Sequence, residues 1–143
     1  MNNHLRRVLL LLCLCLSHPA HAADRVFSLG VIDEIYSQKL GEKRTLNIYL
    51  PDDYNPNDAA RYPVIYLLDG SAQEDFVHIA GLIQYQTLPW IARMPKSILV
   101  GIANVDRKRD FTSPTRFPKD KQGYPSSGGS ASFIAFIESE LLQ

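Results

Sequence analysis

The stretch Tyr62-Pro63-Val64-Ile65-Tyr66-Leu67-Leu68-Asp69-Gly70-Ser71 constrains this chain more than any other. A proline leads into an unbroken apolar run, and the run stops at Asp-Gly. An apolar run this short reads as a strand buried on both faces, ending in a polar turn. In α/β folds the chemistry is placed at the C-terminal ends of buried parallel strands. The run therefore points to a site at Asp69-Gly70-Ser71, without saying which reaction occurs there.

The surrounding sequence supplies the rest of an α/β pattern. Val26 to Tyr36 is expected to form a first strand and Lys43 to Leu50 a second. Leu46, Ile48 and Leu50 alternate with Asn47 and Tyr49, which suits a half-buried strand near a sheet edge. Leu40-Gly41-Glu42 places a glycine where a hairpin wants one. Phe76, Ile79, Ala80 and Ile83 recur at helical spacing, so Asp75 to about Thr87 is expected to be an amphipathic helix. Ser97 to Ala103 reads as another strand buried on both faces. Strand, helix and strand then form a βαβ unit. Asn104 to Gly129 is expected to be a long loop, and loops of that length in compact domains are usually functional. Ser130 to Leu142 is expected to be a final helix. That helix lacks a stop signal, and Glu138 and Glu140 sit where the helix dipole disfavours them. The expectation is a chain cut inside an element, with too few helices to cover two strands buried on both faces.

The first residues read as an address. Arg6 and Arg7 precede the apolar stretch Val8 to Leu16, and Pro19-Ala20-His21-Ala22 offers a small-x-small cleavage pattern. This predicts an export signal over residues 1–22, a mature domain over 23–143, and a periplasmic or secreted destination. The apolar stretch falls short of the roughly 20 residues that span a bilayer. Both cysteines, Cys13 and Cys15, lie in this segment, so the mature part is expected to do without disulfides. His78 is the one histidine left after it. Loss of Arg6 and Arg7 lowers the 15 basic residues to 13 against 15 acidic ones, a balance that makes no case for nucleic acid or anionic membrane as partner.

Four stretches carry a resemblance to a known family. They are Asn47-Ile48-Tyr49-Leu50-Pro51-Asp52-Asp53-Tyr54, Leu67-Leu68-Asp69-Gly70, Ile98-Leu99-Val100-Gly101-Ile102 and Arg109-Asp110-Phe111-Thr112-Ser113-Pro114-Thr115. In this order, followed by Gly128-Gly129 and Phe133 to Leu142, they resemble the N-terminal part of the putative-esterase family of the α/β-hydrolase superfamily. That family includes siderophore and feruloyl esterases. The resemblance implies an α/β-hydrolase fold, incomplete, with its N-terminal strands and first helices placed before the nucleophile elbow. It also implies a serine-dependent reaction on a small-molecule ester, with no metal or organic cofactor. The family's Gly-x-Ser-x-Gly elbow has no match in the sequence, and in α/β-hydrolases the acid and histidine of the triad follow it. The chain alone is therefore expected to be inactive.

By the same resemblance the backbone N–H of Ser71 is one donor of the oxyanion hole, with Asp69 and Gly70 shaping the turn. The alternative is a plain strand-to-loop turn. Arg109 and Asp110 are candidates for lining the substrate pocket, with a local Arg–Asp clasp as the alternative. Ser71 as a nucleophile with His78 as its base is disfavoured, since no elbow surrounds Ser71 and a lone helix histidine is usually packed or solvated. Asp69 with Glu74 or Asp75 is better read as dipole-offsetting carboxylates than as a metal site. Tyr85 and Trp90 read as core or rim packing. Two functions stay open: the exported esterase, and a non-enzymatic secreted module or remnant of one. The strand at 64–68 is expected to be an exposed apolar edge, and so a route to self-association.

Overall fold

The computed structural model describes residues 26–142. The export signal expected over residues 1–22 lies outside them. Strands β1 (Val31–Ser37) and β2 (Glu42–Tyr49) form an antiparallel hairpin, with Val31 opposite Ile48 and Ser37 opposite Glu42. Gly41 turns it with φ +69°, in the left-handed region that glycine adopts without a Cβ clash. The Gly41 N–H donates to the Ser37 carbonyl at 2.8 Å, and the Leu40 N–H to Ser37 Oγ at 3.0 Å.

Strand β3 (Val64–Leu67), helix α1 (Phe76–Gln86) and strand β4 (Ile98–Ile102) follow as a strand–helix–strand unit. β3 and β4 are parallel neighbours, and the four-stranded sheet has the order β1-β2-β4-β3. Phe76, Ala80 and Ile83 bury the inner stripe of α1 against Tyr49 and Leu99, with Ile65 and Leu67 packed alongside. Helix α4 (Ser130–Phe136) covers the opposite face, where Phe133 and Phe136 pack on Leu46 and Ile102. It continues into a π-helical turn over Ile137–Leu141. Glu140, read from sequence as poorly placed, accepts the Lys39 N–H of the β1–β2 turn at 3.0 Å.

Two strands are covered differently from what their apolar pattern suggests. β2 lies near a sheet edge as expected, beside the edge strand β1, but it is more than half-buried: Arg44, Leu46, Asn47 and Tyr49 are all buried. β3 is not buried on both faces, and it is the exposed edge expected of an incomplete fold. It pairs only with β4 among the described residues, leaving Val64 43% and Leu68 44% exposed. Apolar content marks how a strand can be covered, whereas exposure depends on which neighbours it has. The first strand also begins later than expected, since pairing starts at Val31 and leaves Val26 and Phe27 exposed.

The expected loop over 104–129 contains two short helices, α2 (Arg107–Asp110) and α3 (Pro118–Gly123). Each has a local cause. The Asp106 side chain caps α2 by accepting the Arg109 N–H at 2.9 Å. Pro118 opens α3, where its missing N–H costs nothing. Tyr85 and Trp90, expected to pack, stand exposed.

Candidate active site

The backbone leaves β3 through a constrained turn. Asp69 has φ +54°, in the left-handed region that few residues other than glycine enter and that aspartate tolerates better than most. Gly70 then lies directly on Gly101 of β4: a Cβ at Gly70 would sit 2.4 Å from the Gly101 Cα. The Gly70 N–H donates to the Ile102 carbonyl at 3.0 Å, and the buried Asn47 side chain donates to the Gly70 carbonyl at 2.8 Å. Both peptide groups of Gly70 are thereby fixed to the centre of the sheet.

Polar side chains surround this turn. The Asp69 carboxylate accepts two bonds from the Arg107 guanidinium, at 2.8 and 3.1 Å, and one from the Asn104 amide at 2.7 Å. Asn104 also donates to Glu74 at 2.9 Å. Glu74 in turn faces the Ser71 N–H at 3.4 Å, while the Glu74 N–H donates to the Ser71 carbonyl at 3.0 Å. Ser71-Ala72-Gln73-Glu74 thus has the spacing of a capping box, the Glu side chain turning back to the backbone donor. The Asp75 N–H donates to the Asp69 carbonyl at 3.1 Å, closing the turn into α1.

Arg107, and then Asn104, hold the Asp69 carboxyl below the usual carboxylate range. Asn104, and then Ser71, do the same for Glu74. For Asp69 the sign is that of a depressed acid: its contribution to stability is full above the ordinary carboxylate pKa and is lost as pH falls through the lowered value.

Arg109 and Asp110 belong to a second cluster, on the α4 side of the sheet. The Asp110 carboxylate meets the Arg44 guanidinium and accepts Arg109 Nε at 2.7 Å. Arg109 forms a fork on Glu42, which Arg44 also reaches at 2.8 Å. Arg44 and Asp110 are almost fully buried, and Arg44 stacks 5.4 Å from the Phe133 ring centre. The Arg109 carbonyl accepts the Gly129 N–H at 2.8 Å, so the cluster ties α2 to β2 and to the start of α4. Beside it a cleft of about 320 Å³ is lined by residues including Lys108, Thr112, Asp120 and Tyr124.

The structure therefore brings Asp69, Gly70 and Ser71 to one turn and places Arg109 and Asp110 in a separate network. His78 is exposed on α1 and makes no hydrogen bond to Ser71 among the described residues. Nor do those residues contain a group of three or more His, Cys, Asp or Glu placed to hold a metal ion. Sequence reasoning missed Asn47, Asn104 and Arg107 around the turn, and Glu42 and Arg44 in the second network. The capping-box spacing was a signal for Glu74. Nothing local marks Asn47, whose partner is 23 residues away.

A four-stranded mixed sheet covered by helices on both faces, with a glycine-lined turn at the end of a parallel strand, defines a part of an α/β-hydrolase fold. Solved structures agree. An IroE-like serine hydrolase from Shewanella oneidensis matches 79% of this chain at 36% identity and a TM-score of 0.68. The BES protein from Bacillus cereus matches 83% at 26% identity and a TM-score of 0.65. The match covers 36% and 46% of those two chains. In sequence, the chain is 34% identical over 112 residues to ferri-bacillibactin esterase BesA of Bacillus subtilis (strain 168), covering 70% of this chain and 38% of BesA. The family model described as "Putative esterase" matches residues 37–143, and the chain belongs to that family. It spans less than two fifths of the length of its curated relative BesA.

Proposed function

We propose that this chain is the N-terminal part of an exported serine-dependent carboxylic-ester hydrolase, and that it supplies half of the oxyanion hole. The observation that carries the reading is the turn at Asp69-Gly70-Ser71, pinned to the sheet at the C-terminal end of β3 in a chain of the esterase family. In the proposed reaction a serine outside this sequence attacks the ester carbonyl. The carbonyl oxygen gains negative charge and is met by two backbone N–H groups, that of the residue after the serine and that of Ser71. Glu74 holds the Ser71 donor at a long 3.4 Å, so the developing oxyanion displaces a weak contact rather than a strong one. Asp69 and Gly70 shape the turn. Arg109 and Asp110 serve the substrate pocket through the loop that they anchor.

BesA is by name an esterase of ferri-bacillibactin, and a substrate of that class is the one we propose. The positive, apolar and small-residue order of residues 1–22 supports export. The test is the coding sequence past the codon for Gln143. A Gly-x-Ser-x-Gly pattern within a few tens of codons is the expected result. A well-supported stop followed by unrelated sequence would favour the non-enzymatic module.

Self-association through β3 belongs to the same proposal. Among the described residues no strand pairs with its outer edge, which lies beside the half-exposed Val64 and Leu68 and offers a template for a second copy. The purified chain is expected to run as dimers or larger species in size-exclusion chromatography with light scattering, and Val64→Lys to shift it towards monomer. A monodisperse parent monomer would contradict this.

A further inference from the structure

Besides Asn47, which binds the Gly70 carbonyl, the side chains of Arg107 and Asn104 reach the Asp69 turn from another part of the chain. Asp69 holds a left-handed backbone, uncommon for a residue with a Cβ although aspartate tolerates it better than most, and such a conformation persists where its surroundings hold it. The carboxylate is gripped from the far side by a bidentate guanidinium at 2.8 and 3.1 Å and by an amide at 2.7 Å. Both donors follow β4 and belong to the segment leading into and through α2. That helix is itself fixed, by the Asp106 cap and by the buried bonds of Asp110 to Arg44 and of Arg109 to Glu42. A continuous path of polar contacts thus runs from the middle of β2, through α2, to the residue two places before Ser71.

We propose that Arg107 and Asn104 are positioning residues, which hold Asp69 in its left-handed conformation and thereby aim the Ser71 N–H. A fork of two parallel bonds sets direction as well as attraction, which a single charge contact does not. Arg107 also lies over the Phe111 ring at 5.1 Å, which limits the arcs its side chain can take. The role rests on the reading of Ser71 as an oxyanion donor, but its test does not depend on turnover. A failed positioning test and a failed oxyanion reading are therefore distinguishable.

The test is amide hydrogen exchange by NMR on the full chain, at Gly70 and Asp75. These N–H groups flank Ser71, and they donate to the Ile102 and Asp69 carbonyls. Arg107→Gln is expected to speed exchange at both by about tenfold or more and to move the Ser71 amide resonance, leaving the sheet amides of β2, such as that of Leu46, as they were. Arg107→Lys, which keeps the charge without the fork, is expected to recover only part of the protection. Asn104→Ala is expected to give the same local pattern and decides the matter should Arg107→Gln not fold. Unchanged exchange and an unmoved Ser71 resonance would overturn the proposal. So would faster exchange spread equally over the sheet, or full recovery by lysine.

Discussion

Asp110→Ala is expected to lower the stability of the chain by about 3–5 kcal/mol, the usual cost of removing one partner from a buried ion pair. Domains are stable by only about 5–15 kcal/mol, so this substitution alone takes a large share. The cause is specific. Arg44 is almost fully buried, and among the described residues its Nε has no partner and Asp110 is one of its two carboxylate partners. Without Asp110 the guanidinium keeps Glu42, which it shares with Arg109. Urea unfolding followed by circular dichroism reads the effect. Arg44→Met combined with Asp110→Leu is expected to be less damaging than Asp110→Ala, because apolar replacement of both partners leaves no stranded charge between them. An unfolding free energy for Asp110→Ala within about 0.5 kcal/mol of the parent, as for an ordinary surface change, would show that the network contributes little.

Gly70→Ala is expected to be comparably severe for a different reason. The added Cβ would lie 2.4 Å from the Gly101 Cα and 2.6 Å from both the Gly101 carbonyl carbon and the Ile102 nitrogen. All three are backbone atoms of a strand bonded on both sides, so no side chain can swing away. Overpacking typically costs about 1–3 kcal/mol, and the upper end or beyond is expected here. Relief requires the turn to lift from β4, which breaks the bond from the Gly70 N–H to Ile102. Gly81→Ala is the control. An added Cβ there meets nothing within 4 Å in the middle of α1, and helix propensity favours alanine by about 1 kcal/mol. Gly70→Ala that melts with the parent would mean that the two strands do not approach as closely as described.

What could be read in advance follows the range of the interactions. Proline at 63 and Asp-Gly at 69–70 bound β3, and the 3.6-residue recurrence of Phe76, Ile79, Ala80 and Ile83 marks α1, because both signals are local. The hairpin glycine was legible for the same reason. How fully β2 and β3 are covered was not legible from their apolar pattern, because apolar content cannot report sheet order, although the edge position of 64–68 was expected. Asn47 looked like an outward-facing residue of an alternating strand, yet it is buried and donates to Gly70 across the sheet. Nothing in the sequence around Arg44 points to Asp110, and only the fold brings the two together across 66 positions. At the site, Asp69, Gly70 and Ser71 were legible as the end of a strand. The groups that hold them, Asn104 and Arg107, come from a segment read only as a loop, where the side chains that matter are chosen by tertiary contact.

Under the proposed function this chain contributes an oxyanion donor through the Ser71 backbone but neither a nucleophile nor a base. The most direct measurement is hydrolysis of p-nitrophenyl acetate by the purified chain and by its Ser71→Ala variant. The uncatalysed rate is the expected result for both. Saturable turnover by the parent that Ser71→Ala abolishes would contradict it, since the Ser71 hydroxyl would then be doing the chemistry assigned here to a serine outside this sequence.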